Sequence, residues 1–187
     1  MASRSQLIQK RRNLTHAVAC AITRALYGRR LRSGTESCDF VIGRGRGKFS
    51  VEAKSAATGS YFVFPAAQVI ALDTEHARCV LLAYRRLGAV RSNARLETSD
   101  VLQSIVWIAD LPGPLVSRVC KNKRSADGQH YVTVSKISAL NNRPDASCKI
   151  VDRMPLNVCG EKVVASHITI WRIEEGSEDT RASELPF

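Results

Sequence analysis

Residues 5–28 place Leu7, Leu14, Val18, Ala21, Ile22, Ala25 and Leu26 at helical spacing, with Lys10, Arg11, Arg12 and Arg24 largely off that stripe. The pattern predicts a long amphipathic helix ended by Gly28. An isolated apolar stripe has to be buried against something, and most of the chain after Gly28 reads as strand. The runs "DFVI" and "KFSVEAKSA" are β-branched and aromatic, and they are joined by "GRGRG", whose glycines permit a hairpin turn. "SYFVF" reads as a third strand, Pro65 suits the first turn of a helix over "PAAQVIALDTEHA", and "RCVLLAYRRL" returns to strand. This order describes an α/β chain with a mixed central sheet flanked by helices.

Beyond residue 90, "SIVWIADL", "QHYVTVSKIS", "CKIVDRM" and "KVVASHITIWRIEE" predict further strands, separated by polar loops such as "KNKRSADG" and "NNRPDAS". Residues 1–90 are therefore expected to form a core. Residues 91–172 are expected to form a β-rich extension of the same domain or a small accessory module. Residues 173–187 are acidic and poor in apolar side chains, the composition of a disordered tail.

Charge narrows the partners. The net charge is +11, and residues 1–48 alone hold eleven Lys and Arg against Glu36 and Asp39. That asymmetry fits a chain that binds a polyanion through its phosphates. Aromatic residues make up only 6%, which favours contact with a duplex or junction backbone over base stacking on a single strand. No apolar run approaches the roughly 18 residues needed to span a bilayer, so no membrane partner is expected. Six cysteines without a C-x-x-C pair signal neither a zinc site nor a disulfide framework, consistent with reduced thiols. A cytoplasmic or nucleoid-associated location follows, with organelle targeting as the alternative, because the first 35 residues are acid-free and rich in Arg.

The chemistry concentrates in "CDFVIGRGRGKFSVEAKSA", residues 38–56. The period of two puts Glu52 and Lys54 on one face of their strand, and pairing across the glycine turn brings Asp39 near Glu52. Two carboxylates can hold a Mg²⁺, and a lysine beside them can orient or help deprotonate a water. That combination suits metal-assisted hydrolysis of a phosphodiester. Arg44, Arg46 and Lys48 on the turn, with Arg29, Arg30 and Arg32 before it and Lys121, Lys123 and Arg124 later, are candidate phosphate contacts. "GRGRGK" does not complete a P-loop, because Ile42 and Phe49 stand where Gly and Ser or Thr are needed. His16, His76, His130 and His167 are far apart without metal-ligand spacing and are expected to be structural.

The set Asp39, twelve residues, then Glu52-Ala53-Lys54 resembles the signature of the PD-(D/E)xK nuclease superfamily. The preceding helix, the intervening hairpin, the following helix with Gln68 and the strand after it resemble in layout the archaeal-type Holliday junction resolvases, over roughly residues 5–90. Cys38 stands where the signature has proline. The resemblance implies a restriction-endonuclease-like fold with a C-terminal β-rich elaboration. It implies Asp39, Glu52, Lys54 and Gln68 as catalytic residues, and Asp39, Glu52 and Ala53 as ligands of Mg²⁺, with Mn²⁺ as a substitute. Many resolvase-like members add a Glu from the first helix; here that helix has no acid, leaving Gln6, Gln9, Asn13 or Glu36 to stand in. The implied activity is that of a Mg²⁺-dependent DNA endonuclease, cutting branched DNA or specific sites and working as a homodimer. The alternative is a non-catalytic basic DNA-binding protein on a nuclease-like fold.

Overall fold

The structure is a computed structural model and describes residues 4–28, 31–35, 38–43, 49–86, 96–121 and 127–174. The elements run α1 (Arg4–Tyr27), β1 (Leu31–Thr35), β2 (Cys38–Ile42), β3 (Phe49–Ala57), β4 (Tyr61–Pro65), α2 (Ala66–Leu72) and β5 (Ala77–Tyr84). They continue as α3 (Thr98–Ser104), β6 (Ile105–Pro112), α4 (Gly113–Lys121), β7 (Gln129–Thr133), α5 (Val134–Leu140), β8 (Ala146–Val158) and β9 (Glu161–Ile173). Seven strands form one curled mixed sheet in the order β1-β2-β3-β5-β6-β9-β8, and β4 pairs with β7 in a sheet of their own. The chain is thus α/β with a mixed sheet flanked by helices, as the sequence led one to expect.

The alternation along β3 and β5 explains the layering. Val51 and Ala53, with Val80 and Leu82, face a core shared with Val18 and Ile22 of α1 and Val101 of α3. Ala56, with Cys79, Leu81 and Ala83, faces the opposite core, built with Phe62 and Phe64 of β4, Val69 and Leu72 of α2, Val116 of α4 and Ile137 of α5. The hairpin of β8 and β9 curls toward the first core, adding Met154, Leu156, Ala165 and Ile168 to it.

Three contacts fix the course of α1 across β2 and β3. Thr15 Oγ1 accepts from Ser55 Oγ at 3.1 Å, Arg24 lies 4.8 Å over the Phe40 ring, and Tyr27 meets Phe49 with ring centroids 6.2 Å apart. At its C-terminal end Tyr27 Oη donates to Asp110 Oδ1 at 2.7 Å. Asp110 is buried and also receives Arg78 Nε at 3.0 Å and an Arg172 guanidinium nitrogen at 2.9 Å. Gly28 follows the helix with φ of +71°, the left-handed conformation that ends it.

Four elements were not expected from the sequence. β1 is built from "LRSGT", which has little strand propensity. The run "QHYVTVSKIS" reads as one strand but breaks at Thr133, whose side chain accepts from Lys136 N–H and caps α5. α4 opens on Gly113-Pro114, a pair that resembles a turn yet suits a helix start. α3 opens on a capping box between Glu97 and Asp100. No helix among the described residues is long and apolar enough to cross a membrane.

Candidate functional site

β2 and β3 pair antiparallel from Ile42 opposite Phe49 to Phe40 opposite Val51. Past Phe40 the pairing with β3 ends, while on its other edge β2 stays paired with β1 as far as Cys38 opposite Thr35. Asp39 sits in the opening. Its Oδ2 accepts a hydrogen bond from Ala53 N–H at 2.9 Å, a donor that a continued ladder would have given to a backbone carbonyl. In return, Asp39 N–H donates to Glu52 Oε2 at 3.2 Å. Each carboxylate is therefore oriented by the other strand's backbone.

Lys54 is two residues along β3 from Glu52 and shares its face. Its Nζ lies 2.6 Å from Glu52 Oε1 and 5.9 Å from the centroid of the Phe64 ring. The Glu52 side chain is 2% exposed and that of Lys54 20%. Burial pushes the Glu52 carboxyl above its ordinary pKa; the Lys54 ammonium pulls it back, and the Asp39 charge adds to the rise. Burial acts on Asp39 in the same direction. There it is outweighed by the hydrogen bonds from His16 and Ala53 N–H and by the charges of His16 and Lys54, so Asp39 ends below its ordinary value. Proton affinities pushed apart in this way leave one readily ionised carboxylate beside one that ionises with more difficulty.

The sequence expectation that Asp39, Glu52 and Lys54 converge is matched by this geometry. α2 covers the sheet face from which Glu52 and Lys54 project, since its Val69 and Leu72 pack in the core that holds Phe64 and Cys79. Gln68 of α2 is half-buried, and its Oε1 is enclosed with no hydrogen-bond partner among the described residues. Ala53 is fully buried against α1, and its N–H is what holds Asp39.

The α1 side chain that meets Asp39 is His16, which the sequence suggests is structural. His16 Nε2 lies 3.6 Å from Asp39 Oδ1, and Cys20 Sγ lies 3.5 Å from the same nitrogen. The Asp39 hydrogen bond, and after it the Cys20 contact, raises the imidazole to about 10 against the opposing effect of burial. The signal was the i, i+4 spacing of His16 and Cys20, legible only once the sheet-facing side of the helix is known. His130 does fit the structural expectation, being buried with Nδ1 2.9 Å from the Cys120 carbonyl oxygen. Among the residues considered as stand-ins for an acid on α1, Gln9 and Asn13 are exposed and hydrogen-bond to each other at 2.9 Å, and Gln6 is exposed.

Of the basic residues expected to meet phosphates, Arg32 is exposed on β1, and Lys121 is exposed at the end of α4, paired with Asp73. Arg29, Arg30, Arg44, Arg46, Lys48, Lys123 and Arg124 lie outside the described residues, as do Glu36 and the tail after residue 174. Compared with protein-family models, curated proteins and solved structures, the chain matches none of them.

Proposed function

We propose that the chain is a metal-dependent endonuclease that hydrolyses phosphodiester bonds in DNA, on a restriction-endonuclease-like version of the α/β architecture. The observation that carries this reading is the cluster in the opening between β2 and β3, where Asp39, Glu52 and Lys54 meet through the Ala53 and Asp39 amides. Two carboxylates fixed from opposite strands form a hard oxygen donor set that suits Mg²⁺, with Mn²⁺ as a substitute. Asp39 and Glu52 would hold the ion. Bound there, it would polarise a phosphate oxygen and lower the pKa of a bound water.

The chain's own residues supply the rest. Ala53 N–H and Asp39 N–H hold the two carboxylates in place, so little side-chain freedom remains to be lost on binding. Lys54, paired with Glu52, would orient the attacking water. Gln68, whose unpartnered oxygen lies on the helix that covers the same face, would accept a hydrogen bond from that water or the substrate. The net charge of +11 supports a polyanionic substrate, duplex or branched, and symmetric cutting of both strands would take a homodimer. A second reading is favoured by the depth of Glu52, whose two oxygens are engaged by Lys54 and Asp39 N–H. Under it the cluster is a closed ion pair within a basic DNA-binding protein that does not cut.

The test incubates the protein with Mg²⁺ and, in parallel, four-way junctions, linear duplex, supercoiled plasmid and single strands. Metal-dependent cleavage is expected, lost by about 10²-fold or more in Glu52→Gln and Lys54→Ala while DNA binding stays within a few-fold. Variants that cleave as well as the parent would sink the active-site assignment. Binding by every form with no cleavage selects the second reading.

A further inference from the structure

The contact between α1 and β2 holds three metal-ligating atoms of different softness. His16 and Cys20 are one turn apart on the same side of α1, and both face the end of Asp39 that Ala53 does not use. His16 Nε2, Cys20 Sγ and an Asp39 carboxylate oxygen all lie within 4.8 Å of one another. A tetrahedral zinc site with ordinary bond lengths has edges of about 3.6 Å between nitrogen and sulfur and about 3.4 Å between nitrogen and oxygen. The observed separations are 3.5 Å for His16 to Cys20 and 3.6 Å for His16 to Asp39. Two of the three edges are thus already those of a single tetrahedral ion, and the third, between Cys20 Sγ and the Asp39 oxygen, is within 4.8 Å.

From this geometry we propose that His16, Cys20 and Asp39 form a transition-metal site of the Zn²⁺ class, with one coordination position left open. The donor set decides the class. One thiolate and one imidazole favour a borderline ion such as Zn²⁺ or Co²⁺ and are poor ligands for Mg²⁺. Binding displaces the Cys20 thiol proton and any proton on His16 Nε2 into solvent, so that sulfur and nitrogen each give a lone pair to the ion. Access is open, since the His16 side chain is 44% exposed and that of Asp39 25%. Three protein ligands with a free fourth position is the arrangement of catalytic rather than structural zinc, and the ligand it takes is a water or an anionic oxygen, a phosphate included. Asp39 would then belong to two sites at once, sharing its carboxylate between this ion and the Glu52 cluster. The inference goes beyond the nuclease reading and does not depend on it, because it is read from metal binding without DNA.

The test uses the full chain, stripped with chelator under reducing conditions and titrated with Co²⁺. The expected spectrum combines the visible bands of tetrahedral Co²⁺ with a near-ultraviolet thiolate charge-transfer band, saturating at a single equivalent and displaced by Zn²⁺. Cys20→Ser should abolish the charge-transfer band. Loss of even an outer hydrogen-bond partner typically costs about 10–100-fold in metal affinity, so His16→Gln and Asp39→Asn should each cost about 100-fold or more. Cys148→Ser and Cys159→Ser, both at exposed thiols, should change nothing. One readout needs no variant: Zn²⁺ should slow alkylation of Cys20 in the parent protein, because a thiolate held by the ion is not free to attack, and leave Cys148 unaffected. Octahedral Co²⁺ without the charge-transfer band, a band that survives Cys20→Ser, or equal alkylation of Cys20 with and without Zn²⁺ would each overturn the proposal. A chain that binds zinc in this way yet never cleaves DNA would leave it standing and remove only the nuclease reading.

Discussion

Two polar clusters among the described residues, around Asp110 and around Asp39, respond differently to loss of a single residue. Asp110 is buried and carries Arg78, Arg172 and Tyr27, with the Arg78 guanidinium also bonded to the Asp110 backbone carbonyl at 3.0 Å. Arg78 is itself almost fully buried, so Asp110→Ala strands a cation away from water. A loss of about 3–5 kcal/mol is expected, measured by urea denaturation, and a loss below about 1 kcal/mol would show that solvent reaches Arg78 in the folded chain. His16 behaves otherwise because it is partly open. In the metal-free protein its pKa is raised from 6.5 to about 10, chiefly by the Asp39 hydrogen bond. A raised histidine stabilises the fold fully below its unfolded pKa, and that stabilisation disappears as pH rises through about 10. Solvent screening at a side chain 44% exposed limits the effect to about 1 kcal/mol. Chelated His16→Gln should therefore be less stable than the parent near pH 6 and equal to it above pH 10, and a difference constant across that range would place the effect in packing rather than charge.

At the scale of elements, close approach matters as much as charge. A Cβ on Gly113 would lie 2.5 Å from the Leu72 carbonyl oxygen and 2.6 Å from the Ala77 Cβ, at the point where α4 starts beside α2 and β5. Both neighbours are fixed by the fold, so Gly113→Ala should cost about 1–3 kcal/mol in thermal or denaturant unfolding. An unchanged midpoint would mean that α4 can shift without penalty. Gly113 is also where the sequence was hardest to read. A Gly-Pro pair carries no helical periodicity, yet a buried helix start uses the glycine for space and the proline for its fixed φ. Long periodic segments were legible, because α1 and the β8–β9 hairpin carry their pattern over many residues. Seven-residue helices such as α3 and α5 were not, since their starts are set by single caps rather than by periodicity. The site divides in the same way. Strand alternation made Asp39, Glu52 and Lys54 legible, whereas the meeting of His16 with Asp39 depends on how α1 lies across the sheet.

At the scale of the whole molecule, the sequence suggested a break near residue 90, and the sheet order bears directly on whether the two sides are separate. β5 lies between β3 from the first part and β6 from the second, and it pairs with β6 from Arg78 to Tyr84. Seven of its eight residues are buried, so β5 is a central strand with both faces covered. Much of that cover comes from later in the chain: Leu111, Val116, Val132 and Ile137 on one face, and Val101, Ile108 and Ile170 on the other. A chain ending at residue 90 would expose the β5 ladder edge together with the parts of both apolar faces that the later elements cover, the combination that favours aggregation. Residues 1–90 expressed alone are therefore expected to lack a cooperative melt, although they contain every residue of the Asp39, Glu52 and Lys54 cluster. Co-expressed as 1–90 and 91–187, the two segments should assemble through β5 and β6, co-elute in size-exclusion chromatography and melt together. A monodisperse, cooperatively folded 1–90 would show that the core stands alone and that the later strands are an addition to it. The assembled outcome would mean that the candidate site depends on a sheet that neither half can complete.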